Sequence, residues 1–309
     1  MKKILSVFFN TDRTYLTGLT IGESGISLDY INSTTHPIDF GNIESNESKN
    51  GMNELETILL NMNFKPDEIS ITLPSESVLV TKFPGREDIS DDELNQLLNL
   101  EIRQIYPDRD NSEFTTYAVP LIPEKQNLQQ MLAVIVKNEI IKEIENIVKV
   151  LDKPIVKYEI SQLTAHTGFL HNYPELNDKC VLFFSLQSQF IEVSVLQNGK
   201  PVYYNLVGMP DNNQTVDLFE REFAKIVPDY VPVVDASFFF GAGLTKSVSQ
   251  MLSEKARFLG INEAKRLNAF RMIQTNLSKR ENDYCSRTFH IFPACIGGCL
   301  PAQYKRITV

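Results

Sequence analysis

The sequence predicts an α/β protein in which one strand-rich unit is used twice, giving two similar lobes. Three observations carry that expectation. Two distant stretches repeat one pattern of strands and turns. A helix–strand–strand–helix block lies between them. The chain, 309 residues with 42% apolar side chains, is long enough to bury a sizeable core in each lobe.

The first stretch opens with Val7-Phe8-Phe9, the polar turn Asn10-Thr11-Asp12-Arg13, and the strand Tyr15 to Ile21. A second turn at Gly22-Glu23-Ser24-Gly25 leads into Ile26 to Tyr30. The second stretch opens with Leu182-Phe183-Phe184 and the turn Ser185-Leu186-Gln187-Ser188, then continues as Phe190 to Val195. Its next turn, Gln197-Asn198-Gly199-Lys200, precedes Val202 to Leu206. Each reads as a three-stranded antiparallel meander, and Asn198-Gly199 is a hairpin signal on its own. Met1-Lys2-Lys3 before Ile4 to Phe9 imitates a signal peptide. The apolar run stops short of the roughly 7–15 residues such a segment needs, so it reads as a first strand.

The intervening elements follow from periodicity. Asn53 to Asn61 carries helical spacing, with Glu44 to Gly51 before it read as a polar loop. Ile69 to Leu73 and Val78 to Phe83 read as strands. Ser90-Asp91-Asp92-Glu93 is a capping box opening a helix with Leu94, Leu97, Leu98, Ile102 and Ile105 on its apolar face. Leu100 on the same helix reads as core of this block. Phe114 to Val119 and Met131 to Val136 read as paired strands, and Asn138 to Leu151 as an amphipathic helix. Beyond the second meander come a helix over Thr215 to Ile226, the strand Ser237 to Phe240, the turn Gly241-Ala242-Gly243 and a helix from Thr245 to Phe258. The remainder reads as a strand or two and a small-residue segment, Phe292 to Leu300.

Charge and motifs exclude several functions. Thirty basic residues against 39 acidic give a net charge of -9, so nucleic acid and anionic lipid are not expected partners. No run approaches the roughly 18 apolar residues of a membrane-spanning helix, and the chain reads as cytoplasmic. Four dispersed cysteines form no disulfide framework. His290, Cys295 and Cys299 lack zinc-site spacing, and no metal ligands are assigned. Asp91, Asp92 and Glu93 serve a helix start. No Gly-x-Ser-x-Gly, Walker-type or His-Glu-x-x-His motif occurs. Gly241-Ala242-Gly243 is either a phosphate- or adenosine-style turn or simply a tight strand-to-helix connection.

Taken together, these elements resemble the actin-like ATPase superfamily, a duplicated ribonuclease H-like fold. More closely they resemble the PilM proteins of type IV pilus assembly and the cytoplasmic part of the type II secretion protein GspL. The likeness runs over the first meander, Leu73-Pro74-Ser75, the helix Ile89 to Tyr106 with Pro107, and Val148 to Leu151 followed by Tyr158-Glu159-Ile160. It continues through the second meander, Gly241-Ala242-Gly243, Leu267 to Phe270, and Phe292 to Gly297. It implies a first lobe over residues 1–178 with an α/β insertion at 88–151. A reduced second lobe over 179–309 lacks most of the lid subdomain, because Met209 to Phe240 leaves room for one helix and a strand.

In nucleotide-binding members of that superfamily, the first turn of each meander has the form Asp-x-Gly-Ser/Thr, for magnesium and phosphate. Here the turns read Asn10-Thr11-Asp12 and Ser185-Leu186-Gln187, and the family's later lysine position falls on Thr17. Asn10, Asp12, Ser185, Gln187, Gly241 and Gly243 are therefore degenerate nucleotide-binding positions, with no catalytic residue and no cofactor expected. The resemblance implies a non-catalytic adaptor, a pseudo-ATPase peripheral to the bacterial inner membrane. It would bind a short peptide of an inner-membrane assembly protein in a groove flanked by Asp91 to Tyr106 and Val78 to Phe83. Homodimerisation is left open. The alternatives are a working ATPase or small-molecule kinase, using magnesium–ATP at Asp12 and the Gly241 turn, and a filament-forming protein.

Overall fold

A computed structural model describes residues 1–23, 25–86, 88–208, 214–302 and 307–308. The first meander comprises β1 (Lys2–Phe9), β2 (Thr14–Gly22) and β3 (Gly25–Ser33). Helix α1 (Asn46–Asn61) crosses to β4 (Glu68–Leu73), which pairs parallel to β1. Between β4 and the next strand of that sheet, the chain forms β5 (Leu79–Pro84), α2 (Asp91–Ile105), β6 (Phe114–Leu121), β7 (Gln130–Lys137) and α3 (Asn138–Val148). It then returns as β8 (Ile155–Ile160), parallel to β4, and α4 (Ser161–Asn172).

The second meander comprises β9 (Cys180–Leu186), β10 (Phe190–Gln197) and β11 (Lys200–Gly208). It is followed by α5 (Thr215–Ile226), β12 (Ala236–Phe240), α6 (Lys246–Phe258) and β13 (Glu263–Arg266). The chain finishes with β14 (Gln274–Thr275), α7 (Lys279–Thr288), α8 (Pro293–Cys299) and β15 (Ile307–Thr308). The first sheet has the order β14-β3-β2-β1-β4-β8 and the second β11-β10-β9-β12-β13. Apart from β14 they are the same sheet, so the sequence echo is a true structural repeat. A third sheet, β15-β6-β7-β5, carries α2 on one face through Leu94 and Leu98.

The central strands β1 and β9 are buried on both faces, which is why they read as unbroken apolar runs. On the outer face of the first sheet, Leu5, Val7 and Ile71 pack under Leu55 of α1 and Ile144 of α3. On the outer face of the second, Phe184 packs under Phe219 of α5 and Leu252 of α6. The two inner faces share one core containing Phe8, Phe183, Phe238 and Phe292.

That shared core is built by an exchange of helices. Helix α4 follows the first sheet but covers the second, where Gln162 Nε2 donates to Ser194 Oγ at 2.6 Å and Phe169 packs on Phe183 and Phe238. Helix α8 follows the second sheet but covers the first, its Cys295 thiol donating to the Ser6 and Tyr15 carbonyls. Thr17 is buried against this helix with its hydroxyl 3.3 Å from the Cys295 carbonyl. The exchanged helices meet where neither has a side chain. A Cβ on Gly297 would lie 1.7 Å from the Thr164 carbonyl oxygen, and one on Gly168 would lie 2.9 Å from that of Pro293. Lys157 closes the far end of α8, donating to the carbonyls of Gly297 and Leu300.

Three expectations are corrected. The segment Glu44 to Gly51 is not a loop: α1 begins at Asn46, with the Ser45 hydroxyl accepting from the Ser48 amide. The buried positions of its first turns are Ser48 and Gly51, which carry no apolar side chain, and that hid the helical period. The C-terminal region contains two helices as well as short strands. Helix α7 starts with the reciprocal capping box of Ser278 and Glu281, and Phe292 to Leu300 encloses α8, all of whose residues are buried. Leu100 is 55% exposed and so lies outside the core of the inserted block.

The helix crossing sets a strict test. Gly297→Ala should cost about 3 kcal/mol or more, or abolish folding, because rigid backbone meets rigid backbone. Gly208→Ala, at a position with open space around it, should be near neutral. Urea unfolding of both variants distinguishes the specific contact at the crossing from a general effect of replacing glycine by alanine.

Candidate functional site

The first turns of the two meanders meet between the lobes. The Asn10 amide N–H donates to the Arg13 carbonyl at 3.1 Å, and the Gln187 amide N–H to the Phe190 carbonyl at 2.9 Å. Asn10 and Gln187 are thus the equivalent residues of the repeat. Aligning the apolar triplets of the two strands pairs Asn10 with Ser185 instead. A two-residue slip keeps every side chain on its own face, so the pattern alone does not separate the two registers.

Asn10 and Gln187 are both buried, and the Asn10 Nδ2 donates to Gln187 Oε1 at 3.0 Å. The next pair in the repeat, Thr11 and Ser188, places its hydroxyls 3.4 Å apart. Around this contact the polar groups form a chain. Asp12 Oδ1 accepts from Asn10 Nδ2 at 2.9 Å, and its Oδ2 accepts from the Tyr15 hydroxyl at 2.6 Å. The Arg13 Nε lies 3.3 Å from that same oxygen. On the other side, Gln187 Nε2 donates to the buried Ser185 hydroxyl at 3.1 Å.

Gly241 and Gly243 press onto the end of β9. The Gly241 φ is +106°, and a Cβ there would stand 2.2 Å from the Leu186 carbonyl oxygen. A Cβ on Gly243 would stand 2.7 Å from the Gln187 carbonyl, while its amide donates to Leu186 at 3.0 Å. Both glycines are therefore required by the strand-to-helix connection itself. All six residues singled out in the sequence lie together. The Asn10 and Gln187 side chains of the two turns bond directly to each other.

Beside the joined turns lies an open cleft of about 1020 Å³, bounded by the first sheet's connections, the inserted block and the tip of the second meander. Val78, Leu79 and Tyr106 line it, at the ends of the two elements expected to flank a groove. Ile38, Phe40 and Ile43 form a wall that nothing in the sequence pattern identified.

Two carboxylates in this region were also missed. Glu192 of β10 is wholly buried, accepting from Ser75, from Ser161 at 2.9 Å and from Tyr204 at 3.0 Å. It ties the end of β4 and the start of α4 to the second sheet. Burial raises its pKa despite those three hydroxyls. Glu76 lines the cleft with both carboxylate oxygens shielded from solvent and no cation paired to them. Burial and then the charge of Glu192 push its pKa up to about 7, with its own amide and the Thr11 hydroxyl only partly offsetting them. An acid inside the Leu73-Pro74-Ser75-Glu76 strand end was the available signal. Among the described residues no cluster of His, Cys, Asp and Glu suits a metal ion.

No family model matches the chain, and no curated protein matches it. Solved structures do. The chain has an actin-like ATPase fold and is similar to the PilM-PilN type IV pilus biogenesis complex, with a TM-score of 0.72 at 13% identity. That match covers 96% of this chain and 99% of the other. It is also similar to a Bacteroides thetaiotaomicron protein with an actin-like ATPase fold, with a TM-score of 0.52 at 10% identity over 84% of this chain and 89% of that one. The cytoplasmic domain of EpsL, an inner membrane component of the Vibrio cholerae type II secretion system, matches at a TM-score of 0.48 and 12% identity, over 87% and 98% of the two chains. At these identities the likeness is one of fold, and a fold by itself carries no activity.

The state of Glu76 has a measurable effect on stability. Its carboxyl holds a proton up to about 7 when folded, against 4.5 when free. The folded chain binds that proton more tightly, so stability falls as pH rises through this window and stays lower above it. Glu76→Gln should therefore be more stable than wild type by about 2 kcal/mol near pH 8, with the difference vanishing near pH 4.5. Urea unfolding across that range measures it.

Proposed function

We propose that this chain is a non-catalytic adaptor: an actin-like fold that has given up nucleotide chemistry and serves a pilus or secretion assembly platform. In this reading it works on the cytoplasmic side of a bacterial inner membrane, and its open cleft captures a short peptide of an inner-membrane partner. The observation that carries the reading is the direct Asn10–Gln187 hydrogen bond, which occupies the position where two phosphate-binding turns would flank a ligand.

Three further features support it. Asp12 is already engaged by Tyr15, Asn10 and Arg13, and so is poorly placed to organise a hydrated magnesium ion. Among the described residues, α5 is the only helix between β11 and β12, where a lid subdomain would stand; residues 209–213 lie outside the description. No helix among the described residues is long and apolar enough to cross a membrane, in keeping with a role that reaches the membrane through a partner. The fold of the PilM-PilN complex supplies the analogy for that partner.

Isothermal calorimetry with magnesium–ATP tests the loss of nucleotide binding. No saturable heat up to millimolar ligand is expected. Micromolar binding that disappears in Asp12→Ala would replace the adaptor with a working nucleotide enzyme. The peptide role is tested by titrating synthetic peptides that tile the cytoplasmic segments of the host's pilus and secretion membrane proteins. Binding lost in Leu79→Asp, on the cleft wall, is the expected result.

A further inference from the structure

The cleft has mixed walls, with apolar patches among polar side chains, and is acidic in its charge. Asp39, Glu47, Glu76, Glu139 and Glu143 line it, against a single lining ammonium, Lys137. Lys137 lies over the Tyr106 ring at 5.3 Å, at the cleft edge. Of the carboxylates, Glu139 is neutralised by Arg109 at 3.1 Å, and Asp39 Oδ1 accepts from the Gly41 amide. Glu76 has no ion-pair partner in this structure; only its own amide and the Thr11 hydroxyl act on a carboxylate whose oxygens are screened from solvent, with Glu192 close behind it. A carboxylate held in that way weakens the fold above neutral pH and would be relieved by an incoming cation.

We infer that the cleft recognises an extended segment with a lysine or arginine flanked by aliphatic residues, and that Glu76 is the counter-ion of that basic side chain. The inference rests on the peptide-capture reading given above and assigns its chemistry. The aliphatic neighbours of the basic residue lie on Ile38, Phe40, Val78 and Leu79, while the cation enters towards the shielded carboxylate. An ammonium or guanidinium satisfies both oxygens of Glu76 and offsets the repulsion from Glu192. An acidic or neutral segment leaves Glu76 shielded and without a counter-ion. Specificity then arises from the penalty on the wrong partner as much as from attraction to the right one.

The test is a random heptapeptide display library selected against the full chain, against Leu79→Asp and against Glu76→Gln, whose retained fold is checked by its unfolding curve. Enrichment of peptides with Lys or Arg at one fixed position between aliphatic residues supports the assignment. So does loss of at least about tenfold in their affinity on Glu76→Gln, measured by calorimetry with the selected peptides. Peptides that depend on Leu79 but show no basic preference, and bind Glu76→Gln equally well, would overturn the assignment while leaving peptide capture intact. Failure to enrich any peptide sensitive to Leu79→Asp would overturn both.

Discussion

The close approach of α4 and α8 is the constraint on which the rest of the molecule depends. Gly168 and Gly297 let two helices touch backbone to backbone. That contact lets each helix reach across and cover the inner face of the other lobe's sheet. With larger residues at the crossing, α4 and α8 would stand apart and leave Phe8, Phe183, Phe238 and Phe292 around an unfilled space. The lobes are thus joined by a core whose residues are as deeply buried as those within each of them.

The cleft inherits its shape from this joint. Because the lobes are pinned at the helix crossing, the ends of β1 and β9 arrive side by side and their turns can bond to each other. Glu192 adds a third tie, holding Ser75 and Ser161 from the other lobe through a buried carboxylate. The two turns enclose the region between the lobes. Here polar contacts fill it, and the free volume lies to one side, between the first sheet's connections and the inserted block. That volume is lined by Ile38, Phe40, Val78 and Leu79 together with five carboxylates and one ammonium, Lys137.

Much of this was legible in the residues. The two meanders were, because strands buried on both faces give apolar runs and Asn198-Gly199 supplies positive φ at both turn positions. The six turn and glycine residues lie together in the structure, since repeat symmetry places equivalent turns face to face. The exact register between copies was not, because strand parity tolerates a slip of two. Helices α4 and α8 left no amphipathic signature, for they have no solvent face to mark with polar residues. Glu76 and Glu192 were invisible as a pair: they lie far apart in the chain and become neighbours only when the lobes dock.

The exchange of helices also governs how the chain can come into being. During synthesis β1, β2 and β4 emerge early, yet the helix that covers their inner face spans residues 293–299. Until those residues leave the ribosome, Phe8, Tyr15 and Leu19 have no lid, and the first lobe waits half-finished with an oily face exposed. Folding is thereby made a single late event that links opposite ends of the sequence, a slow topology by its long-range contacts. A nascent chain of this kind would be a natural client for chaperones that shield apolar surface during translation.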